Sequence, residues 1–301
     1  MSAITLDRVT VRVSVDGRPA PKTLLQELSL DLTERRIGVI GANGSGKSTL
    51  LRLLNGLVAP SEGTVRVDGA DTVRAVREVR RRVGFVFTDP LSQLVMPTGR
   101  EDVELSLRRS LRNAAERRAR AESVLDRFGL LPLADQSIYE LSGGERQLLA
   151  LAAVLAVDPE VLVLDEPSTL LDLRNRELLR RTLSGLRQQV ILSTHDLELA
   201  QDMDRVLVVD AGKIVFDGDP AAAVAHYRAL SAAGLPTAGL PTAGLPTAGL
   251  PTAGLPTAGG GSRGDSAPGA GGQRVPGAGG QGFPGAGVRG GTPEQARLGK
   301  P

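Results

Sequence analysis

An apolar strand, a glycine-rich loop and a helix follow one another without a break, and few folds accommodate that order. ERRIGVIG (Glu34–Gly41) runs into GANGSGKST (Gly41–Thr49), and STLLRLLNGL (Ser48–Leu57) continues with helical spacing to about Gly56. A glycine loop in this context is a phosphate site. Gly41, Gly44 and Gly46 let the backbone turn sharply and approach an anion with no Cβ in the way; Asn43 and Ser45 complete the loop. Successive N–H groups and the helix N-terminus then face the phosphates. Lys47 reaches the β- and γ-phosphates, Ser48 offers a hydroxyl to Mg²⁺, and Thr49 contacts the α-phosphate. The expected ligands are ATP and Mg²⁺.

The rest of the chain builds around this unit. ITLDRVTVRVSVDG alternates apolar and polar residues, predicting strands joined by a turn at Asp16-Gly17. GTVRVDG, RRVGFVF, VLVLDEP, QVILSTH and RVLVVDAGKIVFDG read as further strands. Residues 88–157 turn helical and rich in Arg, Leu and Ala, predicting an inserted helical subdomain. Strands alternating with helices indicate an α/β core with a largely parallel sheet, and antiparallel strands at the start.

Two further motifs carry chemistry. VLVLDE (Val161–Glu166) is a buried strand ending in two acids. Asp165 suits the Mg²⁺ shell, and Glu166, one step on, suits a general base or water-orienting group. In LSGGERQ (Leu141–Gln147), Ser142, Gly143 and Gly144 open a helix as an anion nest with a capping serine. One domain with two anion sites implies that the second serves another subunit.

The ordered set of GANGSGKST, LSGGERQ, VLVLDEP, LLD (Leu170–Asp172) and STHD (Ser193–Asp196) resembles the ATP-binding cassette (ABC) family over roughly Ile4–Ala229. The resemblance implies a P-loop NTPase cassette that binds and hydrolyses ATP between two copies. Ser142, Gly143 and Gly144 would then act on the partner's nucleotide. Asp172 matches the family's D-loop aspartate, and His195 the switch histidine that contacts the γ-phosphate and water region. Two positions depart from the family pattern: Thr88 stands in the usual Q-loop glutamine slot, and Val13 near the usual adenine-stacking aromatic. Both predict slower turnover and modest nucleotide affinity.

Phe87–Leu107 is similar to the Q-loop region of energy-coupling factor (ECF) transporter ATPases, with Asp89, Pro90, Gln93, Pro97, Thr98, Glu101 and Asp102 matching. This implies a vitamin or transition-metal importer, with biotin the leading substrate. The implied partners are a coupling transmembrane protein, a small substrate-binding membrane protein and a second ATPase, identical or similar. An exporter subunit and a degenerate regulatory cassette are the alternatives.

Composition sets the limits. From Gly234 the chain reads GLPTA five times, then becomes Gly/Pro/Ala/Gln-rich. Such a segment buries too little surface to offset chain entropy, so residues 232–301 are expected to be a disordered tail beside a domain of residues 1–231. Arg263, Arg274, Arg289, Arg297 and Lys300 outnumber Asp265 and Glu294 there, which leaves the domain near neutral against a chain total of +2. A near-neutral body argues against nucleic acid as a partner. Two arginine runs, residues 74–82 and 108–120, read as solvated helix surface or as a docking face. Cysteine is absent, excluding disulfides. The longest apolar run, Leu148–Val157, falls well short of the ~20 residues that span a bilayer, so a peripheral place on the cytoplasmic face of the membrane is expected.

Overall fold

The structure is a computed structural model that describes residues 2–14 and 20–233. The turn expected at Asp16-Gly17 and the GLPTA tail from Gly234 lie outside the described residues. Strand β1 (Ile4–Val13) pairs antiparallel with β2 (Lys22–Leu32) and with β4 (Glu62–Val67), which pairs with the short β5 (Ala70–Asp71). These form one sheet, in the order β2-β1-β4-β5.

The second sheet holds β3 (Arg36–Ile40), β6 (Val83–Val86), β7 (Val161–Asp165), β8 (Gln189–Ser193), β9 (Arg205–Asp210) and β10 (Lys213–Gly218), in the order β10-β9-β3-β8-β7-β6. All its pairings are parallel except β10 with β9. Strands β3, β7 and β8 are buried at every residue, as a parallel sheet covered on both faces requires. Alternation splits their side chains between two cores. Ile37, Val39, Val161, Val163 and Ile191 meet the antiparallel sheet and helix α1 (Lys47–Leu54). Leu162, Leu164, Val190 and Leu192 meet the helices that follow residue 98.

The inserted subdomain holds α3 (Gly99–Leu107), α4 (Ala114–Arg127) and α5 (Gly143–Leu155), after a short helix α2 (Val76–Arg82) that the sequence pattern left unassigned. Asn113 caps α4, its Oδ1 accepting from the Ala115 and Glu116 amides at 2.9 and 3.3 Å. Arg100 joins α3 to the α4–α5 connection, donating to both carboxylate oxygens of Asp135 at 2.7 and 2.8 Å. Helices α6 (Leu173–Gly185), α7 (Leu197–Gln201) and α8 (Pro220–Ala233) complete the second layer. Helix α8 continues through Ala233, two residues past the expected domain end at residue 231. No described helix is long and apolar enough to cross a membrane.

Part of the first arginine run works internally. Arg80 donates to the carbonyls of Asn55 and Gly56, where α1 ends, and Arg82 pairs with Glu78 at 3.0 Å. Arg205 makes a larger joint. It donates to both oxygens of Asp217 at 2.6 and 2.7 Å, to the Asp31 carbonyl at 2.7 Å and to Glu34 at 3.0 Å. Burial pushes the Glu34 carboxyl up, but hydrogen bonds from nearby backbone amides and the Arg205 charge outweigh it and leave Glu34 below the usual range. A depressed carboxylate contributes stability above its unfolded value, lost as pH falls through the folded one. Arg205→Met should therefore lower stability by about 2 kcal/mol at neutral pH. Melting curves at pH 7 and pH 3 should show the gap to the parent shrinking in acid.

Candidate functional site

The carboxyl ends of β3, β7 and β8 lie side by side, Val39 and Asp165 each in register with Ser193. Open α/β sheets bind ligands at such strand ends. The glycine loop leaves β3 here. Gly41 has φ 151°, and a Cβ built on it would sit 2.1 Å from the Val209 carbonyl oxygen. Gly44 and Gly46 also have positive φ, and Gly46 caps α1. The Ser45 carbonyl accepts from the Gly212 amide at 2.8 Å, and the Gly212 carbonyl accepts from the Gln26 amide at 2.9 Å. The loop is thus tied through the β9–β10 turn to the antiparallel sheet. Asn43 is exposed at its tip, and Thr49 is half-buried in the first turn of α1.

Lys47 is buried and curls over the loop, its Nζ donating to the Gly41 and Ala42 carbonyls at 2.8 and 3.1 Å. The same Nζ lies 3.8 Å from Glu166 Oε1. Asp165 ends β7 at 1 % exposure. Its Oδ1 accepts from Ser48 Oγ at 2.9 Å and Ser193 Oγ at 2.7 Å. Its Oδ2 has no hydrogen-bond partner; Arg52 Nη2 stands off at 3.8 Å. Glu166 follows with φ 52°, left-handed for a residue that carries a Cβ. Its amide donates to Ser193 Oγ at 3.0 Å. Its Oε2 accepts the His195 amide at 3.1 Å and lies 2.7 Å from His195 Nδ1. The fold therefore brings Lys47, Ser48, Asp165, Glu166 and His195 into one cluster, joined by hydrogen bonds except for the 3.8 Å ion pair of Lys47 with Glu166. Ser193 belongs to it; it opens the STHD motif but was given no role, and its signal is a hydroxyl residue closing a buried strand two positions before the histidine.

These residues fit a nucleotide with a small divalent cation. Among the described residues, no group of three or more His, Cys, Asp or Glu could hold a metal alone. Ser48 and Asp165 supply hard oxygens, and Oδ2 is bare; Mg²⁺ takes such a set, with phosphate and water oxygens completing it.

Ser142, Gly143, Gly144 and Asp172 form a separate cluster. Ser142 caps α5 in a capping box, its Oγ accepting from the Glu145 amide at 3.2 Å while its own amide donates to Glu145 Oε2 at 2.7 Å. Helix geometry leaves the Gly143 and Gly144 amides without intrahelical acceptors. Asp172 caps α6 through the Asn175 amide at 2.8 Å, and Ser142 and Asp172 line one cleft. Leu170, Leu173 and Tyr139 are exposed nearby, Leu173 at 83 %.

At the end of β6, Thr88 is half-buried. Gln93 does not take over its position. Gln93 Oε1 accepts from the Phe87 amide at 3.3 Å, and its Nε2 donates to the Ala150 carbonyl at 3.2 Å. The other residues of this stretch shape the loop: Asp102 Oδ1 accepts from the Val95 and Met96 amides at 2.8 and 3.0 Å, and Thr98 caps α3. Beside it runs an apolar groove lined by Leu57, Phe87, Gln93, Val95, Leu105 and Val157.

Comparison with known proteins gives a consistent picture. The family described as ABC transporter matches residues 25–169, and a GLTT repeat matches residues 230–259 in six copies. A putative ABC transporter ATP-binding protein of Deinococcus radiodurans is 48% identical over 213 residues, covering 71% of this chain and 92% of its own length. The biotin transport ATP-binding protein BioM of Rhizobium etli is 46% identical over 211 residues, covering 70% and 94%. The energy-coupling factor transporter ATP-binding protein EcfA1 of Latilactobacillus sakei is 34% identical over 222 residues, covering 72% and 79%. Among solved structures, the dimeric post-hydrolysis state of the ATP-binding cassette MJ0796 with ADP and Pi superposes with a TM-score of 0.66. It is 29% identical and covers 72% of this chain and 98% of that one.

Proposed function

The chain belongs to the ABC transporter family as an ATP-binding subunit, and from that premise we propose that it energises an ECF-type importer of a vitamin, biotin the leading substrate. The observation that carries the catalytic part is the single cluster of Lys47, Ser48, Asp165, Glu166 and His195 at the strand ends. The importer part is supported by the likeness to BioM and EcfA1 and by the ECF-like stretch Phe87–Leu107.

The geometry supports these residue roles. The loop amides and Lys47 bind the phosphates; Lys47 exchanges its two carbonyl acceptors and Glu166 for phosphate oxygens. Ser48 and Asp165 would hold Mg²⁺, which would neutralise phosphate charge when bound. Glu166, released from Lys47, accepts the proton of the attacking water. His195 steadies the Glu166 carboxylate through Nδ1 and its amide. Gly143 and Gly144 present their amides to the nucleotide of a second ATPase, with Ser142 capping that helix and Asp172 at the same face. The exposed Leu170, Leu173 and Tyr139 supply apolar surface for that contact. The apolar groove beside β6 receives a segment of the transmembrane coupling protein. On this reading the subunit works peripherally, at the cytoplasmic face of the membrane.

A degenerate regulatory cassette is the second reading, favoured by Thr88 in the glutamine slot while Gln93 is engaged elsewhere. Thr88→Gln should raise basal ATPase by roughly three- to tenfold by restoring a side chain long enough to orient water. An unchanged steady-state rate would show the slot to be unimportant. Purification of the tagged chain from detergent-solubilised membranes, with mass spectrometry of what accompanies it, tests the importer. A multi-spanning coupling protein plus a small membrane protein supports it, and the ligand carried by the small protein names the substrate. An exporter-type partner, or no membrane partner, rejects it.

A further inference from the structure

We infer that Ser193 is a positioning residue for ATP hydrolysis, its one hydroxyl setting both the metal-facing carboxylate of Asp165 and the backbone that presents Glu166. The inference rests on the nucleotide reading above and names a residue that no motif of the sequence singled out for a role.

Ser193 ends β8 directly opposite Asp165 in the parallel register, and it is 0 % exposed. A serine hydroxyl has one proton to give and lone pairs to receive. Both capacities are used here. The proton goes to Asp165 Oδ1 at 2.7 Å, and the oxygen receives the Glu166 amide at 3.0 Å. Ser48 also donates to Oδ1, so both hydroxyl protons fall on one oxygen of Asp165 and none on the other. That asymmetry fixes the carboxylate plane and leaves Oδ2 bare. Ser48 can give its proton to Oδ1 and still offer a lone pair to a cation; Ser193 adds a second donor to the same oxygen. Ser193 lies in the neighbouring strand β8, and its bond does not involve the phosphate loop.

The second bond acts on Glu166. Its φ of 52° is a conformation that β-carbon residues rarely hold without support. The amide at that residue is tied to Ser193 through its hydroxyl at 3.0 Å and its carbonyl at 3.2 Å. Rotation of Asp165 and rotation of the Glu166 peptide are therefore coupled through one oxygen atom. Water does not reach that oxygen, so neither bond has a competitor.

The test uses the full chain carrying Glu166→Gln, so that bound ATP is not consumed. Fluorescent ATP-analogue affinity is measured in EDTA and again in saturating Mg²⁺. Adding Ser193→Ala should leave the EDTA affinity within about twofold and reduce the tightening by Mg²⁺ about tenfold, the scale of one hydrogen bond to a charged group. Ser193→Thr, which keeps the hydroxyl, should restore the Mg²⁺ response even if it melts earlier. Ile191→Val, in the same buried strand, should lower the melting temperature without moving the Mg²⁺ ratio. A Ser193→Ala chain with an unmoved ratio overturns the inference alone. A Glu166→Gln parent that binds no ATP in either condition overturns the nucleotide reading, and the inference with it.

Discussion

Glu166→Gln should lower kcat for ATP by roughly 10²–10⁴-fold, the usual range for loss of a positioned general base, while ATP still binds. The substitution keeps size and hydrogen-bonding capacity, so the amide oxygen can still accept the His195 amide that now reaches Oε2 at 3.1 Å. What disappears is the negative charge beside Lys47 and the site able to take a proton from water. Removing that charge also frees Lys47 from its 3.8 Å partner. ATP affinity should therefore hold or rise while turnover collapses. Steady-state hydrolysis together with equilibrium nucleotide binding separates the two effects. Equal losses in both would mean that Glu166 serves the architecture of the pocket rather than the chemistry.

Gly41→Ala should be the most damaging small substitution in the phosphate loop. Its added Cβ would lie 2.1 Å from the Val209 carbonyl oxygen and 2.9 Å from Ser45 Oγ, at a backbone angle of φ 151°. The first obstacle is backbone in a central strand, with no rotamer to turn away. Relief requires β3 and β9 to part locally or the loop to leave its path. The combination of overpacking and strain costs about 3 kcal/mol or more, which is roughly 10 °C in Tm for a domain of this size. Since the same shift misplaces the loop amides, nucleotide affinity should fall with it. Thermal unfolding with and without ATP reads both: a lowered Tm and a smaller ATP-induced rise.

Much of this site was legible in the sequence because its parts are local. The glycine loop needs its glycines in order, and Asp165 and Glu166 close an unmistakably apolar strand. What escaped was set by pairing between distant segments. Ser193 acquires its meaning only from the register that puts β8 beside β7. Arg205 looks like any strand-edge charge until β2, β9 and β10 converge on it. Helix α2 went unassigned because its arginines mask a turn whose one buried side chain is Val79. Ser142 was anticipated as both cap and anion nest. Its hydroxyl is engaged in the capping box, which leaves the neighbouring glycine amides as the free donors.

The tie that runs from Ser45 through Gly212 to Gln26 has a mechanical meaning. The phosphate loop is one of the joints between the parallel and antiparallel sheets, which also share a packed core and the Arg205 bridge. A substitution that displaces the loop therefore disturbs a structural seam as well as the seat of the ligand.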